Sequence, residues 1–382
     1  MRATKAIIHL NNLEHNILEL RKNINKDTKI CVAVKADSYG HGAVECSKRL
    51  EKIGVDFLAV AAVEEGIELR ENNITLPILM LSLCTPEEIP LAVKYKITPF
   101  VFDKEYIQLF ADEVKRQNIK NYPVHLAVDS GMGRIGCYKE EAGELAKYIS
   151  CTEVLDLEGV CTHFAVSDCC DCESNKFSKR QLDYFLEAVE NIRKEGIEPG
   201  ILHASSSAAF INVKGSELNM IRPGIVAYGY YAGDVNKKFL EENNIKLELK
   251  PVMTFETQVS IIRDFERDQS VGYGRTWKAN GKTKIAVLTA GYADGLLRKF
   301  APFLEVAING KNYPVRGRIC MDQCMVEIGN DSDVKRWDKA VIFGLKEDGA
   351  LQTAQDIADK AGTISYEVTS LITKRVEREY IE

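Results

Sequence analysis

Through roughly the first 230 residues, short apolar runs alternate with stretches in which apolar residues return every third or fourth position. The runs are Ile30–Val34, Phe57–Ala61, Ile78–Leu81, Ile97–Phe102, Val124–Val128, Leu157–Thr162, Ile201–His203 and Met220–Arg222. Between them, Ile107, Phe110, Ala111 and Val114, and later Leu182, Phe185, Leu186 and Val189, fall on the i, i+3, i+4, i+7 stripe of a one-sided helix. Strand then helix, repeated around eight strands, predicts an N-terminal (β/α)8 barrel of the TIM type. The run after Leu76 is the least regular, because Pro77, Pro86, Pro90 and Pro99 punctuate that quarter of the chain.

After Tyr231 the texture changes. A charged stretch from Asp234 to Lys250 ends at Pro251, and the chain beyond it is β-rich: Val252–Ile262, Lys284–Ala290, Leu304–Ile308, Tyr313–Val315, Met325–Ile328 and Ala340–Phe343, separated by Gly, Asn, Pro and Asp. One helix is expected near Thr353–Lys360. The chain therefore divides into a barrel, residues 1–235, and a mainly β C-terminal domain, residues 236–382, with residues 1–10 a candidate to pair with the second domain. No internal repeat, low-complexity tract or long linker interrupts this plan.

Composition narrows the function. The 382 residues carry 50 Lys+Arg against 56 Asp+Glu, a formal charge of −6, which argues against a nucleic-acid surface or a polybasic membrane anchor. No apolar run approaches the roughly 18 residues that span a bilayer, and the opening MRATKAIIHLNNLEHN turns polar too soon for a secretory segment, so a cytoplasmic protein is expected. Eleven cysteines, an odd count, read as reduced thiols. Cys169, Cys170 and Cys172 crowd one polar loop below Cys161, but without paired Cys-x-x-Cys units or a histidine at finger spacing no metal is expected there.

In such a barrel the chemistry gathers at the C-terminal ends of the strands. The first run ends in Lys35; the fifth leads into Asp129-Ser130-Gly131-Met132-Gly133-Arg134; the sixth ends Thr162-His163. The seventh enters His203-Ala204-Ser205-Ser206-Ser207 and the eighth closes on Arg222-Pro223-Gly224. A lysine at a strand tip either projects past the rim into water or sits desolvated, loses its proton readily and serves as a Schiff-base nucleophile. The Ser205, Ser206 and Arg222-Pro223-Gly224 segments offer hydroxyls and backbone N–H groups where barrels often hold a phosphate, although a capped Pro-Gly turn would read the same way. Gly131-x-Gly133-Arg134-x-Gly136 lacks the acidic partner and βαβ spacing of a dinucleotide loop. A nucleophilic lysine and a phosphate cradle on one rim suggest pyridoxal 5′-phosphate (PLP).

These motifs resemble those of bacterial alanine racemases. Lys35-Ala36-Asp37-Ser38-Tyr39-Gly40-His41-Gly42 is similar to that family's PLP-lysine segment. Asp129 to Gly136, Thr162-His163-Phe164-Ala165, Arg222-Pro223-Gly224, Val271-Gly272-Tyr273-Gly274-Arg275-Thr276, Gly291-Tyr292-Ala293-Asp294-Gly295 and Arg318-Ile319-Cys320-Met321-Asp322-Gln323 come in the family's order. The resemblance implies a PLP-binding barrel with a β-domain and an isomerase that interconverts L- and D-alanine for peptidoglycan. Lys35 and Tyr273 would be the two bases, one on each face of the cofactor, because racemisation removes a proton from one face and returns it to the other. By the same resemblance Tyr39, Ser205, Ser206, Gly224, Ile225 and Tyr366 hold the phosphate region, His163 and Arg222 support the ring and the phenol, and Arg134, Met321, Tyr292 and Asp322 meet the substrate. The implied assembly is a head-to-tail homodimer in which Tyr273, Tyr292 and Met321 reach the partner's barrel.

Two positions depart from the family. Ala127 stands where many members carry a carbamylated lysine that neutralises Arg134, and Ser205 stands where asparagine is usual. Alternative readings are a broader amino-acid or serine racemase, a non-enzymatic PLP-binding protein, or a PLP decarboxylase. A carrier needs no second domain and no Tyr273, and the decarboxylases lack the Met321-Asp322 motif.

Overall fold

In a computed structural model that describes residues 3–382, eight parallel strands succeed one another around a nearly closed barrel. In chain order they are Lys29–Ala33, Phe57–Val60, Ile78–Met80, Ile97–Val101, Tyr122–Ala127, Leu155–Cys161, Ile201–His203 and Met220–Ile221. The last strand pairs back onto the first, Lys29 opposite Met220 and Ile30 opposite Ile221. The seam between the seventh and eighth strands is bridged by Asn219, whose N–H donates to Leu202 O at 3.0 Å and whose Oδ1 accepts from Leu202 N–H at 2.9 Å. The barrel and the mainly β second domain are thus the fold that the apolar pattern predicts.

Side chains fill the barrel rather than leaving a pore. Cys31, Phe57, Ala59, Leu79, Phe100, Ala127, Cys161 and Met220 form one inward cluster. The outer cluster takes the opposite strand faces and the helices, including Ile107, Phe110, Ala111 and Val114 of the helix Lys104–Arg116. Asp103 caps that helix, its Oδ1 accepting from Tyr106 N–H at 2.7 Å. On Cys172–Lys194 the predicted stripe holds for Leu182, Phe185 and Val189, whereas Leu186, about 100° around the helix from Phe185, lies exposed. The proline-rich quarter yields a three-residue strand, Ile78–Met80, and a short helix, Ile89–Lys94, with Pro90 in its first turn, where a missing N–H costs nothing.

The second domain is built on Met253–Phe265, a strand of 13 residues. Register shifts at Phe255/Glu256 and Val259/Ile261 bend it, so its first half pairs with Lys339–Phe343 and its second with Thr283–Leu288. Cys324–Glu327 extends the latter arm, and Glu305–Ile308 with Lys311–Pro314 extends the former. Lys5–His9 lies antiparallel to Met253–Phe265 and parallel to Glu377–Ile381. Met1 and Arg2 of the opening 1–10 segment lie outside the described residues. Lys5–His9 runs straight into the helix Leu10–Lys22, which the sequence pattern did not suggest.

The second domain also closes one side of the barrel mouth. Arg378 donates twice to Gly40 O, at 3.1 and 3.0 Å, and the Tyr366 ring meets the Tyr39 ring edge-on at 5.8 Å. Among the described residues no helix is long and apolar enough to cross a membrane, and no group of His, Cys, Asp or Glu is arranged to hold a metal ion.

Candidate active site at the barrel mouth

Just beyond the first barrel strand the chain makes a left-handed turn. Ala36, Asp37, Ser38 and Tyr39 have φ between +51° and +55°, and Gly40 comes next at +85°. For residues other than glycine this conformation costs about 1–2 kcal/mol each. Several bonds hold it: Ser38 N–H to Val34 O at 2.8 Å, Gly40 N–H to Ala36 O at 2.9 Å, and Gly42 N–H to Asp37 O at 2.9 Å. Two carboxylates brace its ends, Glu65 Oε1 accepting from Ala36 N–H at 2.6 Å and Asp37 Oδ1 from Ala43 N–H at 2.7 Å. The strained turn sets Lys35 on the wall of a cavity and swings Tyr39 toward Gly224.

That cavity is about 360 Å³ and is lined by Lys35, Asp129, Arg134, Thr162, His163 and Arg222, with Ser82, Leu83 and Phe100 among its other walls. Burial lowers the Lys35 ammonium below its ordinary value, the Arg134 charge adds to this, and Glu65 opposes it. A lysine so placed gives up its proton more easily and becomes a nucleophile. Asp129, the one carboxylate among the lining residues, is occupied: its Oδ1 accepts from the N–H groups of Gly131, Met132 and Gly133. Arg134 is exposed, and among the described residues it has no hydrogen-bond or ion-pair partner. Ala127 lies in the same wall and brings no charge to it.

Arg222 is buried behind the cavity. Its Nη2 donates to Thr162 O at 2.7 Å and to Ala204 O at 3.1 Å, and its Nη1 to His203 Nδ1 at 2.7 Å. The same Nη2 faces His163 Nδ1 at 3.4 Å. Burial, then the charges of Arg222, Arg134 and Lys35, bring His163 down to about 3, so its ring is neutral near neutral pH.

Gly224, Tyr39, Tyr366 and the serine run gather beside the cavity. A Cβ on Gly224 would lie 2.6 Å from Tyr39 Oη, so only glycine lets that hydroxyl approach the backbone. Gly224 N–H donates to Ser207 Oγ at 2.9 Å, and Ile225 opens the short helix Ile225–Tyr228. Tyr366 arrives from the second domain and abuts Tyr39. Ser206, between Ser205 and Ser207 in the chain, is half-buried. Ser205 faces elsewhere: fully buried, it donates to Ser216 O at 2.6 Å and sits 2.7 Å from Ser216 Oγ, closing the 205–216 loop.

The remaining candidates lie on the second domain. Tyr273 opens a tight turn between the paired strands Ser270–Val271 and Trp277–Lys278, and with Met321 and Asp322 it lines a separate open groove. Tyr273 is 69% exposed, Met321 52%, and Tyr292 lies exposed on the same domain. Gly291 packs against the Met321 backbone, and Ala293 N–H donates to Met321 O at 3.0 Å. Asp322 pairs with Arg375 at 2.7 Å, and Arg375 also meets Asp294 at 2.8 Å. None of Tyr273, Tyr292, Met321 or Asp322 lines the barrel cavity of its own chain.

The site therefore comes in two parts. Lys35, Arg134, His163 and Arg222 share one cavity with the Tyr39, Gly224 and Tyr366 cluster beside it, while four candidates stand outward on the β-domain. Sequence reasoning missed Glu65, which braces the lysine turn, and Ser207, which holds Gly224. It also missed His125, buried inside the barrel beneath His203. Ser207 stands in the serine run at the seventh strand's end, and His125 left a trace as a polar residue inside an apolar strand; Glu65 left none.

Comparison with known proteins covers the same ground. Residues 8–232 match the family model described as alanine racemase, N-terminal domain, and residues 252–380 the one described as alanine racemase, C-terminal domain. An alanine racemase of Treponema denticola is 48% identical over 100% of this chain and 99% of its own length. One of Treponema pallidum is 39% identical over the full length of both. Among solved structures, alanine racemase of Clostridium difficile 630 superposes with a TM-score of 0.92 at 39% identity, covering 100% of this chain and 96% of that one. The Bacillus anthracis enzyme with bound L-Ala-P gives 0.90 at 31% identity over the same shares.

Proposed function

The chain belongs to the alanine racemase family, and on that premise we propose that it interconverts L- and D-alanine with PLP, using Lys35 of one subunit and Tyr273 of the partner subunit. The observation that carries this is the placement of Lys35, a lysine made less basic by burial, on one cavity wall with Arg222 and Arg134. Residues 1–235 act as the cofactor-binding barrel, and residues 236–382 present Tyr273 to a second copy in a head-to-tail homodimer. By family membership the enzyme works in the cytoplasm and supplies D-alanine for peptidoglycan.

The residues present suit the cofactor. Lys35 would provide the amine for its aldehyde, and the hydroxyls of Tyr39, Ser206 and Tyr366 with the backbone of Gly224 and Ile225 would hold its phosphate, Gly224 letting the Tyr39 hydroxyl come close to that backbone. Arg222 would meet the ring nitrogen as a permanent donor. When bound, PLP acidifies the α-hydrogen of an attached amino acid by drawing off electron density.

The chain's own groups then divide the work. Lys35 Nζ takes or returns the α-proton on one face. A second base is needed opposite, and the cavity wall of this chain offers no free one: Asp129 is bound by three N–H groups and His163 already faces the Arg222 donor. An exposed phenol from another copy fills that need, and Tyr273 is exposed on the β-domain. Arg134 and the Met321 N–H hold the substrate carboxylate; among the described residues that N–H has no acceptor. Tyr292 and Tyr366 narrow the entrance and Asp322 flanks it. The direct test is to supply the PLP-loaded protein with L-alanine, L-serine and larger amino acids and monitor racemisation. Alanine should lead, and faster turnover of serine would favour the broader racemase instead.

A further inference from the structure

From Arg222 a line of hydrogen bonds runs inward through the barrel and ends on a carboxylate that the cavity does not touch. Arg222 Nη1 meets His203 Nδ1 at 2.7 Å, His203 Nε2 meets His125 Nδ1 at 2.7 Å, and His125 Nε2 meets Glu158 Oε2 at 2.9 Å. Both imidazoles are fully buried, whereas Glu158 is partly open to solvent.

Donor chemistry gives this line a direction. A guanidinium carries only donors, so His203 Nδ1 must accept. The ring then keeps its proton on Nε2 and donates to His125 Nδ1, which leaves His125 Nε2–H to donate to Glu158. Every proton points toward the carboxylate.

The backbone is shaped for the contact. Between the strands Tyr122–Ala127 and Leu155–Cys161 the register runs Val124 opposite Leu157, then His125 opposite Gly159, so Glu158 is the extra residue of a bulge. Beside it, a Cβ on Gly159 would stand 2.7 Å from His125 Cε1 and Nδ1. The strand thus departs from regularity where the ring and the carboxylate meet.

Arg222 has need of such a partner. Its direct contacts are carbonyls and imidazoles, and among the described residues no carboxylate reaches it. A buried charge without a counter-charge is costly. We propose that Glu158 is a positioning residue for racemisation: through His125 and His203 it supplies the counter-charge to Arg222 and fixes the guanidinium that would meet the cofactor's ring nitrogen. The role at the ring rests on the PLP reading above, whereas the direction of the hydrogen bonds does not.

The test is nitrogen NMR of the PLP-loaded enzyme labelled at its histidines, with Glu158→Leu and Glu158→Asp alongside. In the wild type, His125 and His203 should both be neutral and protonated at Nε2 only; an Nδ1–H form or an imidazolium at either ring overturns the proposal. In Glu158→Leu the Arg222 donor still fixes both tautomers, but the His125 Nε2–H proton loses its acceptor, so its resonance should shift upfield, and the absorbance maximum of bound PLP should move. The same variant should lose about tenfold in kcat with KM for alanine little changed, because Glu158 touches no substrate. Glu158→Asp should recover most of the loss. An unmoved His125 Nε2–H resonance together with unchanged kcat in Glu158→Leu would overturn it. A wild type with the expected tautomers that binds no PLP would instead overturn the cofactor reading and, with it, the positioning role.

Discussion

Arg222 Nη2 stands 3.4 Å from His163 Nδ1, a group with no lone pair facing a ring nitrogen that must therefore accept. The proton of the neutral His163 ring is thereby held on Nε2, the nitrogen turned away from Arg222. A partner's phenolate placed there would receive a hydrogen bond from it, which lowers the basicity barrier for a group whose ordinary value is about 10.

His163, brought to about 3, and His41, brought to about 4 by complete burial, titrate far below the roughly 6.5 of an unfolded histidine. Below that pH the unfolded chain binds more protons than the folded one. Their contribution is therefore complete above about pH 6.5 and is lost as pH falls toward the folded values. Urea unfolding at about pH 7 and about pH 4.5 should show lower stability at the acid end, by a few kcal/mol at most from these two groups. Equal midpoints would contradict the buried, neutral state of both rings.

Borohydride reduction of the PLP-loaded protein should fix the cofactor to the peptide containing Lys35. Peptide mass mapping reads this directly. Recovery of the cofactor unattached, or attached to another lysine, would remove Lys35 from its role.

Gly224 is constrained sterically. With a Cβ 2.6 Å from Tyr39 Oη, Gly224→Ala must displace the phenol that borders the proposed phosphate region. The expected outcome is PLP affinity weaker by about tenfold, a change of ~1.4 kcal/mol, with the fold intact. Absorbance of retained cofactor after dialysis, together with circular dichroism, checks both parts. Wild-type retention would place the phosphate elsewhere.

Tyr273 is outside its own chain's cavity and largely in solvent. Tyr273→Phe should retain bound PLP but slow α-proton exchange with deuterated water for one enantiomer far more than the other, by roughly 10²–10⁴-fold. Proton NMR of each enantiomer in turn measures this. Equal losses for both would contradict a two-face assignment.

The barrel was legible because its strands are apolar runs set between striped helices, and Phe57, Leu79, Phe100 and Met220 leave a signal whichever partner they meet. That residues 1–10 pair with the second domain was expected, but which strand Lys5–His9 joins, one that begins at Met253 far along the chain, local pattern cannot carry. The strands flanking Tyr273 are two residues each, too short for any period. Within the site, Lys35 and Arg222 stood out as charges at strand ends. The three serines 205–207 did not differ in kind: the turn alone sends Ser205 to Ser216 and Ser207 to Gly224. Glu158 was invisible for a related reason, since its direction is set by a bulge in the register with the neighbouring strand.

Mixing two inactive variants tests the central claim most directly. Lys35→Ala and Tyr273→Phe should each be nearly inactive alone. If each site takes its lysine from one subunit and its phenol from the other, unfolding and refolding an equal mixture should restore about a quarter of wild-type activity, because half the dimers are hybrids and each hybrid has one intact site. Activity no greater than that of the separate variants, with hybrid dimers verified by mass, would contradict a site shared between two chains.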